Sequence, residues 1–185
     1  MTGPAMASIQ VRMDNWFLSN LTALKTSMRV VFGIVWFIDG ALKFQPGLPD
    51  KMADLINSAG QGQPSWLAPW FSFWSQTVGT SPAFFVYMVG VLELALALAL
   101  IFGFLRKVAY AGGVLLSLVM WSVPEGFGGP YGPGSTDIGT GIIYAFVFIF
   151  LMVMNATFGP SRFSMDYLLE GRFPAWKKVA EIRSS

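Results

Sequence analysis

Four long apolar runs dominate the sequence and restrict the chain to a membrane fold. They span residues 28–44, 82–105, 108–123 and 138–158. A helix needs about 20 residues, and at least about 17, to cross the hydrocarbon core of a bilayer. The second and fourth runs meet this length, and the other two reach it with flanking residues. Since 54% of the 185 residues are hydrophobic and only 12% are charged, we predict an all-α integral membrane protein with four transmembrane helices in one domain.

The distribution of basic residues predicts how these helices are oriented. Ten of the twelve Lys and Arg residues lie before or at the start of the first run, between the second and third runs, or after the fourth run. Loops next to membrane spans are enriched in Lys and Arg on the cytoplasmic side. We therefore expect both termini in the cytoplasm and an up-down-up-down four-helix bundle, multi-pass in a prokaryotic cytoplasmic (inner) membrane.

This topology divides the chain into an arm, a bundle and a tail. Residues 1–27 are expected to form an interfacial arm. Residues 159–185 are expected to form a basic amphipathic cytoplasmic tail, either solvated or lying on an anionic inner leaflet. The bundle covers residues 28–158, with helices expected at about 28–45, 82–105, 107–123 and 137–158 and outer loops at 46–81 and 124–136.

The lack of Cys and His limits the redox chemistry that this chain can carry out alone. Neither residue type occurs in the sequence. This excludes disulfides, haem ligation by His, iron–sulfur clusters and ordinary zinc or copper sites within the chain. Any electron transfer would therefore use a bound organic cofactor or a partner. There is also no nucleic-acid motif, and a pI near 9.0 reflects the membrane topology.

Three charged residues interrupt the apolar runs at matching depths. In the stretch "FIDGALKF", Asp39 and Lys43 are four residues apart and share a helix face. At about 1.5 Å per residue, they lie roughly 15 and 21 Å beyond Arg29, which marks the expected inner boundary. Glu93 precedes Arg106 by thirteen residues, which places it roughly 20 Å deep on the second helix. The three side chains are therefore expected at comparable depth.

Charges at such depth indicate either a structural ion pair or a functional site. A charged residue at the bilayer centre costs about 2.5 to 3.5 kcal/mol on insertion scales, and it usually faces the bundle interior. Lys43 is expected to be neutralised by Asp39, by Glu93 or by both. The pairing could hold two helices together, or it could form a polar site for a substrate, a proton or a quinone. The excess of acid favours the site, because a protonated carboxyl can donate a proton.

The outer loops supply a second group of candidates. Glu125 and Asp137 flank the Gly- and Pro-rich stretch "PEGFGGPYGPGSTD". They are expected either to cap the following helix or to handle protons or substrate. Trp121 and Tyr131 lie nearby and could stack on a ring or anchor the chain at the lipid interface.

The first outer loop contains three tryptophans at helical spacing. Trp66, Trp70 and Trp74 follow one another at four-residue intervals, so one helix face would carry all three indoles. Trp favours the membrane–water boundary. We expect either an interfacial helix or a lid over a lipid-soluble ligand.

Three stretches resemble the DoxX/DoxD family of membrane proteins. "MRVVFGIVWFIDGALKF" is similar to the first helix of that family, and "GVLELALALALIFGFLRKVA" is similar to its second helix. "GFGGPYGPGSTDIGTGIIYAFVF" resembles the DoxD branch, with a Gly-rich loop and a Ser-x-Asp-x-Gly entry to the fourth helix. The resemblance covers roughly residues 29–158.

The resemblance implies a four-helix membrane subunit of a quinone-reactive oxidoreductase. The DoxD branch is associated with thiosulfate:quinone oxidoreductase, which joins two thiosulfates to tetrathionate, reduces a quinone and pairs DoxD with a DoxA subunit. This chain has no DoxA-like segment, so that activity would need a partner. The expected catalytic residues are Asp39, Lys43, Glu93 and Asp137, and the expected quinone-binding residues are Trp121, Glu125 and Tyr131.

Two other functions fit the same residues. The chain could be a structural or assembly subunit of a larger respiratory membrane complex, with catalysis elsewhere. It could also transport a small solute or protons through the polar interior, although four helices without broken halves or repeats favour this less.

Overall fold

The computed structural model describes residues 4–133, 135 and 137–182, and this part of the chain is helical without a β-strand. Its α-helices are α1 (Pro4–Leu42), α2 (Leu48–Ala59), α3 (Ala68–Thr80), α4 (Pro82–Phe102), α5 (Arg106–Ser122), α6 (Thr140–Phe158), α7 (Met165–Arg172) and α8 (Lys177–Ala180). Short 3₁₀ helices cover Ser65–Leu67, Gly126–Gly128 and Pro174–Trp176. The predicted all-α class is confirmed.

Three helices in the described residues are long and apolar enough to cross a membrane. They are Leu18–Leu42 within α1, α4 and α6. At most 33% of the most apolar window in each is buried inside the protein. Large apolar side chains such as Val31, Val91 and Phe146 are exposed on all three, which suits contact with lipid. The chain is therefore a multi-pass membrane protein. A fourth span in α5, which has 17 residues, and the orientation of the termini stay predictions.

The long helices pack as two pairs around an aromatic core. α1 packs against α4, and α5 packs against α6. Trp36 and Phe148 are fully buried between the pairs, and the Phe32 ring meets the Phe148 ring edge-on with centroids 4.8 Å apart. Gly113 of α5 lies directly against the Phe148 ring, so a side chain at this position would separate α5 from α6.

The first helix is longer than the sequence analysis expected. Residues 1–27 were expected to form a separate interfacial arm, but α1 is continuous from Pro4 to Leu42. No Gly or Pro occurs between residues 5 and 32, so nothing in the sequence interrupts the helix. The helix ends before the expected position of 45 because Pro46 disfavours helical backbone in the residue that precedes it.

The segment expected as the first outer loop is mostly helical. α2 and α3 lie within residues 46–81, and their side chains form a second core with the end of α5. The indole of Trp70 donates a 3.0 Å hydrogen bond to the Ser122 carbonyl. Trp66 belongs to the 3₁₀ helix that precedes α3 and is 75% exposed. The expectation that three indoles share one helix face is therefore wrong, because the helix begins after the first of them.

The tail folds back onto the bundle instead of remaining separate. Residues 159–185 were expected to be solvated or to lie along the leaflet. In the described part of this segment, α7 and α8 pack on each other and α8 packs on α5, and Asp166 and Ala180 are fully buried. The physical reason is that three acidic side chains of the tail surround Arg106, as described below.

Candidate functional site

The deepest charged contact joins α1 to α4. Lys43 follows the last turn of α1, and Glu93 is fully buried in the middle of α4. The Lys43 Nζ lies 3.3 Å from the Glu93 Oε2. The same Nζ lies 3.4 Å from the Asp39 backbone carbonyl rather than from the Asp39 carboxylate. Of the pairings that the sequence left open, the structure therefore has Lys43 paired with Glu93.

Two glycines allow α1 and α4 to approach closely at this contact. A Cβ at Gly40 would lie 3.1 Å from the Glu93 Cβ. A Cβ at Gly90 would lie 2.9 Å from the Lys43 Cβ. Any larger residue at these positions would increase the distance between the helices. Small residues at a helix contact inside the membrane bring backbones together in this way, and here they set the distance between the two charges.

The Glu93 carboxylate keeps unused hydrogen-bonding capacity. Among the described residues, neither of its oxygens has a hydrogen-bond partner, and its contact with Lys43 is an ion pair. A buried acceptor without a partner is costly and calls for an explanation. Glu93 can therefore take up a proton or accept a hydrogen bond from a ligand.

An apolar cavity lies next to Lys43. Its volume is ≈ 360 Å³, and it is enclosed by side chains of α2, α3, α4 and α5. Lys43 is the charged residue in a lining that includes Met52, Trp74, Met88, Leu92 and Met120. The Trp74 Nε1 is buried and lacks an acceptor among the described residues. The surface that faces the cavity is apolar, so Lys43 contributes its aliphatic stem to the wall while its ammonium contacts Glu93.

Asp39 points to a different neighbour from Lys43. It is half-buried on α1, and its carboxylate lies beside the Tyr144 hydroxyl of α6. Its charge is also close enough to act on Glu93 and on Glu125. Asp39 therefore lies near both the Lys43–Glu93 pair and Glu125 of the loop before α6.

Glu125 and Asp137 bind the backbone at the start of α6. The Glu125 Oε2 accepts a 2.9 Å hydrogen bond from the Gly141 N–H, in the first turn of that helix. Burial raises the pKa of the Glu125 carboxyl above its usual range, and the Gly141 N–H opposes this shift. Asp137 is exposed and accepts a 2.7 Å hydrogen bond from the Gly139 N–H. Glu125 therefore caps α6, although it lies 16 residues before Gly141 in the sequence. Asp137 binds the N–H of Gly139, the residue before the helix.

The two aromatic candidates lie apart from the Lys43 cavity. The Trp121 indole donates a 2.7 Å hydrogen bond to the Ile138 carbonyl, and its ring meets Phe127 edge-on. Tyr131 is 62% exposed and donates its hydroxyl hydrogen to the Phe127 carbonyl. Tyr131 lines a separate cavity of ≈ 520 Å³ together with Trp66. The structure thus divides the seven candidates into two groups. The buried group is Asp39, Lys43 and Glu93, and the loop group is Trp121, Glu125, Tyr131 and Asp137.

A buried polar cluster that was not predicted from the sequence lies at the other end of the helices. Arg106 is 1% exposed. Its Nε lies 3.0 Å from Asp166, and its Nη2 contacts Glu170 at 2.9 Å and also Glu181. Burial, reinforced by Glu181, raises the pKa of Glu170 to about 7. The sequence feature that could have indicated this cluster is the pair of acidic residues four apart in "MDYLLE", Asp166 and Glu170. This pair is informative only when the tail is known to fold back.

Comparison with known proteins gives the family of this chain. The family model described as DoxX matches residues 24–124, which is more than half of the sequence. The chain belongs to the DoxX family. No curated protein and no solved structure matches it significantly.

The DoxX match includes the buried group and stops before most of the loop group. Asp39, Lys43 and Glu93 all lie within the matched residues. The match ends at the residue before Glu125, so Asp137 also lies beyond it. The buried group therefore belongs to the part of the chain that is shared with the DoxX family.

Proposed function

We propose that this DoxX-family membrane protein is the quinone-binding subunit of an oxidoreductase. The observation that carries the proposal is the apolar cavity of ≈ 360 Å³ beside the Lys43–Glu93 pair. Cavities of about 300 to 1,000 Å³ with apolar walls and a few polar groups are typical of small-molecule sites. A quinone matches this chemistry, because it has an apolar ring and two carbonyl oxygens that accept hydrogen bonds.

Each polar group has a proposed role in quinone reduction. The quinone takes up two electrons and two protons to become a quinol. When the quinone binds, the Lys43 side chain turns its ammonium from Glu93 into the cavity, where it hydrogen-bonds one carbonyl oxygen and stabilises the negative charge that develops there. Glu93 donates one proton to an oxygen of the reduced quinone and, after it is reprotonated, a second proton to the other oxygen. Asp39, Glu125 and Asp137 supply the protons that Glu93 passes on.

The loop aromatics have a separate proposed role in holding the quinone. Trp121 packs on Phe127, and Tyr131 lines the cavity that also contacts Trp66. We place them, with Glu125, along the entry path of the quinone from the outer side of a prokaryotic cytoplasmic membrane. This assignment rests on their position near the start of α6 and on their aromatic faces, which can stack on a ring.

The electrons come from a partner, because the chain contains neither Cys nor His. The resemblance to the DoxD branch suggests thiosulfate as the donor. Two thiosulfate ions then form one S–S bond, give tetrathionate and release the two electrons that the quinone accepts. A DoxA-like subunit would bind the thiosulfate, and the present chain would bind the quinone.

A binding titration tests the proposal. The full chain in lipid nanodiscs is titrated with a short-chain quinone, and quenching of tryptophan fluorescence is followed. A hydrogen bond to a charged group contributes about 1.5 to 3 kcal/mol, so Lys43→Met is expected to weaken binding by about 10- to 100-fold. Lys51→Met is the matched control, because Lys51 is exposed on α2 and lies outside the cavity lining. Empty nanodiscs correct for quenching by quinone dissolved in lipid.

Equal quinone affinity of folded Lys43→Met and wild type would contradict the proposed head-group site. One observation favours a second function, since the Lys43–Glu93 pair connects two helices and could act as a structural ion pair. In that case the wild type would bind no quinone above the empty-nanodisc level, and Lys43→Met would only lower the melting temperature. The protein would then be a structural or assembly subunit.

A further inference from the structure

A small cavity near Arg106 is surrounded by cationic side chains. Its volume is ≈ 20 Å³, and Lys25, Arg29 and Arg106 all line it. Tyr110 and Asn155 complete much of the wall. About 10 to 15 Å³ is enough for one water molecule, so the cavity has room for a single particle of about that size. It lies at the end of the helices remote from the Gly-rich loop.

Two buried guanidinium groups have N–H donors without an acceptor at this place. Arg29 is 3% exposed and Arg106 is 1% exposed. Among the described residues, the Arg29 Nε and the Arg106 Nη1 have no hydrogen-bond partner. The Arg29 Nη2 and the Arg106 Nε are satisfied by the protein, through the Phe163 carbonyl and Asp166. Unpaired buried donors on charged groups are costly, so an acceptor is expected in the cavity that both arginines line.

The charge balance around the cavity favours an anion over water. Lys25, Arg29 and Arg106 supply three positive charges, and Asp166 and Glu181 supply two negative charges close to Arg106. The remaining acid in contact with Arg106 is only partly ionised near neutral pH, because burial raises the pKa of Glu170 to about 7. The cluster therefore retains up to one positive charge. A buried charge without a counter-charge is costly, and one monovalent anion would neutralise it.

We propose that this cavity binds one small monovalent anion of the size of chloride. The anion accepts hydrogen bonds from the Arg29 Nε and the Arg106 Nη1. The volume excludes larger polyatomic anions such as thiosulfate. The cavity shares no lining residue with the proposed quinone site, so this proposal does not depend on it. Arg29 belongs to α1 and Arg106 also contacts α7, so the bound anion stabilises the docked tail.

A thermal melt in exchanged salt tests the site. The full chain in nanodiscs is melted while chloride replaces gluconate at constant ionic strength. We expect a saturable increase in the melting temperature, about 3 °C at tenfold excess over the dissociation constant. Arg29→Gln is expected to lose this increase. Lys107→Gln is the matched control and is expected to keep it, because Lys107 is an exposed cation at the same end whose Nζ contacts the Lys178 carbonyl.

A second measurement keeps the test independent of any variant. The wild-type protein is expected to broaden the ³⁵Cl NMR line of dilute chloride, and added bromide is expected to reverse the broadening by competition. The proposal would be overturned if bromide did not affect the line width and the melting temperature did not change with chloride concentration. The cavity would then hold water. An equal response to chloride in wild type and folded Arg29→Gln would also overturn it, because the effect would then come from elsewhere.

Discussion

Because the tail docks on the bundle through one buried carboxylate, we predict that its removal lowers the stability of the protein. Asp166 is fully buried and accepts four hydrogen bonds. The donors are the backbone N–H groups of Leu105 and Arg106, both at 2.9 Å, the Arg106 Nε at 3.0 Å and the Trp176 indole at 2.8 Å. Asp166→Asn removes the negative charge and turns an amide NH₂ towards other donors. The substitution therefore breaks a buried ion pair and leaves several N–H groups without an acceptor.

The expected loss of stability follows from these contacts. Breaking a buried ion pair costs about 3 to 5 kcal/mol. Arg106 keeps its contacts with Glu170 and Glu181, so we expect a value near the lower limit, about 3 kcal/mol. For a chain of this size, 1 kcal/mol changes the melting temperature by about 2 to 4 °C. Asp166→Asn should therefore lower the melting temperature by about 6 to 12 °C.

The assay is a thermal melt of the purified full chain in nanodiscs, followed by circular dichroism. Asp50→Asn is the matched control, since Asp50 is exposed in the first turn of α2 and should change the melting temperature by less than about 2 °C. Limited trypsin digestion gives a second readout, because release of the tail unfolds the helical backbone at Lys177 and Lys178, whose side chains are already exposed, and so makes it cleavable. A melting temperature within about 2 °C of wild type, with unchanged digestion, would refute the tail docking described here.

Three further predictions concern the packing, the pH dependence and the cavity. Gly90→Leu should separate α1 from α4, since even a Cβ would lie 2.9 Å from the Lys43 Cβ. The melting temperature and the quinone affinity should both fall. Gly79→Leu is the control and should change neither, because the space around Gly79 is open. The pKa of Glu170 is raised from 4.5 to about 7, so its contribution to stability is full below pH about 4.5 and disappears as pH rises through about 7. The melting temperature should therefore fall between pH 4 and pH 8. Glu170→Gln should make this fall smaller. Met120→Trp should fill the apolar cavity and weaken quinone binding in the titration without lowering the melting temperature, and unchanged affinity would place the quinone elsewhere.

The sequence was sufficient for the long apolar helices and for the depth of the buried charges. Apolar runs of membrane length predicted the all-α class, and they include the three spans that the structure shows. The rise per residue, counted from Arg29 and Arg106, placed Lys43 and Glu93 at one depth, and the two side chains lie 3.3 Å apart. This prediction worked because regular helices convert residue number directly into distance.

The cavity and the tail could not be predicted in the same way, because both depend on how loops turn. The apolar cavity exists only because α2 and α3 fold onto α4 and α5, and helix periodicity does not specify that docking. Arg106, on which the tail docks, follows a tight link between α4 and α5 in which Leu105 has a left-handed backbone with φ of 50°. Such a conformation is uncommon for a residue other than glycine, and no sequence pattern indicated it.

The most direct test of the quinone proposal is to locate a bound quinone on the chain. A photoreactive quinone analogue is added to the full protein in nanodiscs, activated by light and mapped by peptide mass spectrometry. We predict saturable labelling of cavity residues such as Trp74, Met88 and Met120, with protection by excess unmodified quinone. Labelling confined to lipid-facing residues such as Phe146, without protection by excess quinone, would contradict the account.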